Sequence, residues 1–150
     1  MAVERIKFIL ITLTLLVLHS NNAYALDDVY FHPAKNAKEL YIIDKITKKL
    51  KLPPEQVLAP ADLNNDLIDE YFMRPAECKD QQRCLITIIA LRKDTPIILG
   101  QLESVRIIVS DTHNYGVRDL MVAETRTNDF QETKYQWNPH HSLYEKAPKK

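Results

Sequence analysis

The hydrophobic positions of this chain follow a helical period before residue 53 and strand-like runs after residue 69. One helix face would carry the apolar residues Leu40, Ile43, Ile46 and Leu50, which recur at helical spacing. Asn36, with Glu39 three residues later, is typical of a capped helix start, and Pro53 and Pro54 stop the helix. The pattern predicts one amphipathic helix between Asn36 and Pro53.

From Glu70 onward, short runs rich in β-branched and aromatic residues predict strands. Leu85–Leu91 is the best candidate for a buried strand, and Gly100–Ser104 is interpreted as a break between two others. The remaining runs are Glu70–Met73, Pro96–Leu99, Val105–Val109, Leu120–Ala123, and a terminal hairpin of Lys134–Trp137 with Leu143–Tyr144. The predicted fold class is α+β: one N-terminal amphipathic helix followed by an antiparallel β-sheet of about six or seven short strands.

The first 25 residues have the layout of a secretory signal peptide. Arg5 and Lys7 precede the apolar run Phe8–Leu18, and Ala23-Tyr24-Ala25 places small residues before the expected cleavage after Ala25. The run is shorter than the roughly 20 residues that a membrane-spanning helix needs, so no stable membrane insertion is expected after cleavage. An uncleaved membrane anchor is the alternative. Residues 26–150 are predicted to form a single small exported domain, periplasmic or secreted.

The charge balance argues against two classes of partner. The chain has 20 Lys+Arg and 20 Asp+Glu, and removal of residues 1–25 leaves 18 basic against 19 acidic residues. A net charge so near zero gives no electrostatic reason to expect binding to nucleic acid or to an acidic membrane surface.

The chain has two cysteines, Cys78 and Cys84, and both lie in the part expected to be exported. A single pair in an oxidising compartment predicts a structural disulfide. The pair lacks the CxxC spacing of a redox site, and two cysteines alone do not supply the four ligands of a structural zinc site.

The segment Asp62–Glu70 has oxygen-bearing side chains at alternate positions and is the strongest candidate for an ion site. Hard cations such as Ca²⁺ take six to eight oxygen ligands, which alternate side chains of a tight loop can supply. An EF-hand is excluded because Met73 stands at the twelfth position, where that motif requires a bidentate Glu.

This loop resembles the DxNxDGxxD/E loop of FG-GAP (integrin α-type) propeller blades. The chain is also similar to small exported bacterial proteins, mostly uncharacterised, in which such a loop precedes a cysteine pair and a C-terminal Tyr-x-Trp hairpin. Here the order is Asp62–Glu70, Cys78 and Cys84, Tyr115–Leu120, then Tyr135-Gln136-Trp137 with Tyr144. The resemblance covers about residues 60–145 and implies a fold and a compartment more than an activity.

By analogy with that family, a Ca²⁺ ion would be held by Asp62, Asn64, Asp66, the Ile68 carbonyl and Glu70. The family loop carries Gly where this chain has Leu67, because the backbone turns there with positive φ, a conformation that is costly for leucine. The alternative is that the acidic side chains cap turns by accepting hydrogen bonds from backbone N–H groups, without an ion.

Two further groups of residues admit both a chemical and a structural interpretation. His140-His141, with His113 and His32, lack the spacing of a metal site and are better interpreted as surface residues. Arg118-Asp119 could supply an acid/base pair, although a salt-bridged turn braced by Arg118 is favoured. No GxSxG motif or Gly-rich phosphate loop is present.

These observations predict a non-catalytic exported module that binds an envelope or secreted protein, of which an inhibitor or accessory factor would be one form. The candidate partner surface consists of Asn114, Tyr115, Arg118, Asp119, Tyr135 and Tyr144. The alternatives are an envelope-associated hydrolase and a Ca²⁺-stabilised structural module.

Overall fold

The computed structural model describes residues 27–125 and 131–148, and this part of the chain contains nine strands and one helix. The strands are β1 (Asp27–Asp28), β2 (Gln56–Ala61), β3 (Glu70–Pro75), β4 (Cys84–Arg92), β5 (Thr95–Ser104), β6 (Arg106–Asn114), β7 (Val117–Ala123), β8 (Glu132–Asn138) and β9 (Leu143–Lys146). The helix, α1, spans Ala37–Leu50. The predicted signal peptide, residues 1–25, lies outside the described residues and stays a prediction.

The predicted α+β fold with a single sheet is wrong, because the strands form two antiparallel sheets. One sheet has five strands in the order β1-β6-β7-β8-β9, and the other has four in the order β2-β3-β4-β5. The helix follows β1, so it is not an N-terminal element in the described part of the chain. The apolar runs in the sequence predicted the positions of most strands, but they do not show which sheet each strand joins.

The four-stranded sheet is buried on both faces, and this explains the two-sheet arrangement. In β3, Phe72 packs into the core between the sheets, whereas Tyr71 and Met73 pack into a second core against the helix. The side chains of β4 alternate in the same way, with Ile88 in the core between the sheets and Ile89 in the core against the helix. Successive side chains of a strand point to opposite faces, so a continuous apolar run such as that of β4 requires a cover on each side.

The helix forms where the pattern predicted it. The Asn36 side chain accepts a hydrogen bond from the backbone N–H of Glu39 at 2.9 Å, and Lys51 ends the helix in a left-handed conformation. Ile42 and Ile46 are buried against the four-stranded sheet. Within residues 27–125 and 131–148, no helix is long and apolar enough to span a bilayer.

The predicted break at Gly100–Ser104 is also wrong, since β5 continues through it. A Cβ atom on Gly100 would lie 3.3 Å from the Cβ of Tyr144, so Gly100 allows β5 to approach β9 closely. The glycine therefore marks a contact between the two sheets. The chain then passes from one sheet to the other at Val105, between β5 and β6.

Residues 27–32, named here the strap, join the edges of the two sheets. Asp27 and Asp28 pair with β6, and His32 forms a bridge to Leu58 of β2. Arg106 donates to both carboxylate oxygens of Asp28, at 2.7 and 2.9 Å. The predicted disulfide between Cys78 and Cys84 is confirmed, and it closes the connection between β3 and β4.

Candidate functional site

Three turns lie together at one end of the sandwich, and they contain much of the sequence predicted to be functional. They are the acidic loop (residues 62–69), the β6–β7 turn (Tyr115-Gly116) and the β8–β9 turn (residues 139–142), here together called the loop end. The N–H of Arg118 donates to the Leu63 carbonyl at 2.7 Å, and Asn65 contacts His113 at 3.1 Å. Residues about 50 positions apart in sequence therefore form one surface.

The acidic loop is held by its own carboxylates. Asp62 accepts hydrogen bonds from the backbone N–H groups of Asn64, Asp66 and Leu67, at 3.3, 3.2 and 2.9 Å. Asp66 accepts from the N–H of Ile68 at 2.8 Å. The base of the loop is fixed as well, because Leu63 is fully buried and its N–H donates to the Glu70 carboxylate at 2.9 Å. These contacts are the turn-capping arrangement that the sequence offered as the alternative to an ion.

The pKa values of Asp62 and Glu70, at the two ends of this segment, are shifted in opposite directions. Burial opposes ionisation of Asp62, but the backbone N–H groups of the loop outweigh it and hold its pKa below the ordinary value. Burial, reinforced by the negative charges of Asp66 and Asp62, raises the pKa of Glu70. An ion bound by these groups would favour the charged form of Glu70.

The Ca²⁺ site stays a prediction. Among residues 27–125 and 131–148, no group of three or more His, Cys, Asp or Glu side chains is arranged to hold a metal ion. The loop oxygens of Asp62 and Asp66 are instead directed at backbone N–H groups. A Ca²⁺ ion held by Asn64, the Ile68 carbonyl and Glu70 would also need Asp62 and Asp66. It would have to share the carboxylates of these two aspartates with the backbone N–H groups.

Leu67 has the positive φ that the resembling loops have at their glycine, which is a strained conformation for leucine. It is left-handed, with φ of 67°, and its side chain is 93% exposed. The left-handed region costs an L-residue about 1–2 kcal/mol, and this side chain gains almost no burial in return. Ile68 beside it is exposed too, as is Tyr115 on the neighbouring turn, which also has positive φ. Three large side chains with apolar surface are therefore presented to solvent at the loop end.

Arg118, predicted as part of the partner surface, is largely buried and braces the strap. Its Nε donates to the Ser110 carbonyl at 3.0 Å, and its Nη2 contacts the carboxylates of Asp27 and Asp111 at 3.0 and 3.3 Å. These contacts tie β7 to β6 and β1. The bracing role that the sequence favoured matches this geometry.

Asp119 is completely buried on the opposite face of β7. Its carboxylate accepts hydrogen bonds from Thr112 Oγ1 at 2.5 Å and Gln136 Nε2 at 3.3 Å, and it pairs with Lys134 Nζ at 2.7 Å. The irregular register of β6 between Val109 and His113 brings Thr112 to it. None of these partners is a histidine, so the contacts of Asp119 do not join it to Arg118 and a histidine.

Tyr144 and Tyr135 lie mainly inside the fold. The Tyr144 hydroxyl donates to the Arg118 carbonyl at 2.8 Å, and burial, with the nearby charges of Glu70 and Asp119, raises its pKa. Tyr135 is half-buried and packs against the core between the sheets. Both side chains hold the terminal hairpin in place, and of the two only Tyr135 keeps part of its surface in solvent.

Asn114 and Tyr115 adjoin the terminal hairpin, as the predicted surface requires. Asn114 Nδ2 donates to the Trp137 carbonyl at 2.8 Å, and a shallow groove of about 240 Å³ runs between Tyr115 and the β8–β9 turn. Pro139 and His140 also line it. His141 pairs with Glu145 across the same turn at 2.5 Å, and both side chains are partly exposed at the surface.

Sequence reasoning missed several residues that shape this end of the molecule. Lys134 and Thr112, which hold Asp119, carried no motif, and Leu67 was considered only as a departure from a calcium loop. The pair Leu67-Ile68, placed between Asp66 and Asp69, was the available signal, because exposed apolar side chains at a loop tip add nothing to stability.

No protein-family model, curated protein or solved structure matches this chain. The resemblance to FG-GAP blades and to small exported bacterial proteins therefore stays a prediction, and the geometry of the loop end is the basis for assigning a function.

Proposed function

We propose that this chain is a non-catalytic, exported protein-binding module that uses the loop end to bind an envelope or secreted protein. The observation that carries the proposal is Leu67, a large apolar side chain held in a strained and exposed conformation. Backbone strain that is not offset by burial of the side chain is a feature of recognition sites. Arg118, Asp119 and Tyr144, predicted as contacts, support this surface from inside.

The loop end has a composition suited to binding. Leu67, Ile68 and Tyr115 offer apolar contact area, and the exposed residues Asp66 and Asp69 flank the first two in sequence. Apolar anchors within a charged rim are the usual composition of a protein interface. The acidic rim indicates a partner cleft with basic margins, because complementary charge accelerates encounter and suppresses wrong partners.

Preorganisation favours an inhibitor or accessory factor over a flexible tether. The backbone of the acidic loop is fixed by the carboxylates of Asp62 and Asp66 and by the buried anchor Leu63. A loop that already has its bound conformation loses little conformational entropy on association. Such a loop can enter a cleft without refolding, which is how rigid inhibitors block enzymes.

Site-specific photo-crosslinking tests the proposal. A photoreactive amino acid is placed at position 67 or 115, or at Leu85 on β4, which is also exposed but lies away from the loop end. In envelope and secreted fractions, we expect the same protein adduct from positions 67 and 115 and none from position 85. Adducts that form equally at all three positions, or at none, would contradict the proposed surface.

A further inference from the structure

A second cavity lies under the strap, at the opposite end of β6 from the loop end. Its volume is about 450 Å³, which falls within the range of small-molecule sites. The apolar part of its lining comes from both sheets and the strap: Val29, Phe31, Ile86, Val105 and Ile107. The polar part includes Arg74, Asp80, Ser104 and Arg106, of which Arg106 is paired with Asp28.

Arg74 is the unusual residue of this cavity. It follows Phe72 on the inner face of β3, so its guanidinium lies where an apolar side chain is expected. The residue is only 8% exposed, and its Nε is buried without a hydrogen-bond partner in the part of the chain that the structure describes. The guanidinium lies over the Phe31 ring of the strap, 4.5 Å from the ring centroid.

The charge of Arg74 is balanced by a residue from a surface loop. Its Nη2 donates to Asp80 at 2.6 Å, and its Nη1 has a long contact of 3.5 Å with the Lys79 carbonyl. The two partners differ greatly in exposure, because the Arg74 side chain is 9% exposed and that of Asp80 is 88% exposed. A buried arginine stays charged and needs an anion, whereas an exposed aspartate is well solvated without a partner.

We propose that this cavity binds a small-molecule carboxylate with an apolar body, whose carboxylate replaces Asp80 on Arg74. Arginine presents parallel N–H donors that match a carboxylate, and the unpartnered Nε leaves one edge of the guanidinium unsatisfied. The apolar body would lie against Val29, Phe31 and Ile107, which line the same space. Asp80, carried on the disulfide-closed loop, occupies the position of the ligand carboxylate until the ligand arrives.

This proposal is independent of the protein-binding function of the loop end. β6 carries Arg106 and Ile107 at its first residues and His113 near its last. At about 3.3 Å per residue, the two sites are separated by roughly 20 Å along that strand. Substitutions at one site therefore leave the other intact.

Titration of the purified protein with decanoate, followed by amide NMR shifts and by calorimetry, tests the proposal. We expect saturable shifts at residues that line the cavity, and much weaker binding of decanol, which lacks the charge, and of acetate, which lacks the apolar body. The failure of decanoate to bind saturably, or equal affinities for decanoate and decanol, would overturn it.

Asp80→Asn is the decisive variant, because it removes the competing carboxylate by a change to a side chain that is itself 88% exposed, and the amide spectrum checks that the variant is folded. We expect it to bind decanoate about threefold to tenfold more tightly than the wild type. Glu77→Gln is the matched control, since it removes a charge from the same connection at another exposed position, and it should leave the affinity unchanged. Equal affinities for Asp80→Asn and Glu77→Gln would refute the exchange.

Arg74→Met provides the complementary loss of binding. It keeps an unbranched side chain in the space beside Phe31 but removes the charge, and we expect at least a tenfold loss of decanoate affinity. The amide spectrum checks that this variant is folded. Unchanged affinity in a folded Arg74→Met protein would exclude Arg74 as the carboxylate-binding group.

Discussion

Replacement of Leu67 by glycine is expected to stabilise the protein while removing a large side chain from its surface. Leu67 has φ of 67° and is 93% exposed, so the substitution relieves backbone strain and loses almost no buried area. The hydrogen bond from the residue 67 N–H to Asp62, 2.9 Å long, is made by the backbone and is kept.

The magnitude follows from two opposing terms. A left-handed conformation costs leucine about 1–2 kcal/mol, and glycine adopts it without that cost. Glycine also makes the unfolded chain more flexible, which offsets about 0.4–1 kcal/mol of the gain. The free energy of unfolding should therefore rise by about 0.5–1 kcal/mol, and the melting temperature by about 2–4 °C for a domain of this size.

Urea unfolding followed by the fluorescence of Trp137, the single tryptophan, measures this change. Trp137 packs edge-on against Tyr144 in the terminal hairpin, so its emission reports on the integrity of the sandwich. Leu67→Ala is the matched control, because it removes the same apolar surface but keeps a Cβ atom in the strained conformation. If Leu67→Gly is no more stable than Leu67→Ala, the inference of strain at this position is refuted.

Three other predictions concern the interior and the ion site. Lys134→Met should lower the free energy of unfolding by about 2–3 kcal/mol, because it leaves the buried carboxylate of Asp119 without its cation, and a simultaneous Asp119→Asn change should restore part of the loss in urea unfolding. Burial raises the pKa of Glu70, so the protonated side chain stabilises the folded state relative to the charged one. This stabilisation is fully present below the ordinary pKa of 4.5, and it is lost as the pH rises through the pKa of the folded state. Glu70→Gln should therefore be more stable than the wild type at pH 7 and equal to it near pH 3, and a constant difference across this range would contradict the assignment. If the acidic loop binds Ca²⁺, millimolar Ca²⁺ should raise the melting temperature of the wild type but not of Asp62→Asn, and the absence of any shift in the wild type would remove the ion.

The helix and most strand positions could be predicted because their determinants are local. The Asn36 cap and the prolines at positions 53 and 54 bound the helix, and each acts on residues a few positions away in sequence. Strand runs such as that of β4 are likewise defined by their own composition. The two-residue strand β1, which consists of Asp27 and Asp28, has no such composition and forms because β6 offers it a partner.

The division into two sheets could not be predicted from these runs. Ile88 and Ile89 are adjacent and both buried, yet they belong to different cores. An apolar run on a strand shows that both faces are covered, but it does not show what covers them. Gly100 was misinterpreted for a related reason, because the closeness of Tyr144 is a property of the tertiary structure.

The candidate sites were predictable in part. The acidic loop and the β6–β7 turn were recognised from their residues, but their contact through Asn65 and His113 joins positions 48 residues apart. Asp119 and Arg118 were recognised as a pair, whereas their opposite faces and separate partners depend on strand register. Arg74 was missed, although its position carried a local signal. It stands two residues after Phe72, so a strand places its charged side chain on the same face as that apolar one.

We propose that Leu67 at the loop end serves binding and not folding. The most direct test is the dissociation constant, measured by calorimetry, between the purified protein and the partner identified by crosslinking. We expect Leu67→Gly to bind the partner at least tenfold more weakly than the wild type, although it is the more stable protein. An unchanged dissociation constant for Leu67→Gly would contradict a role of Leu67 in binding.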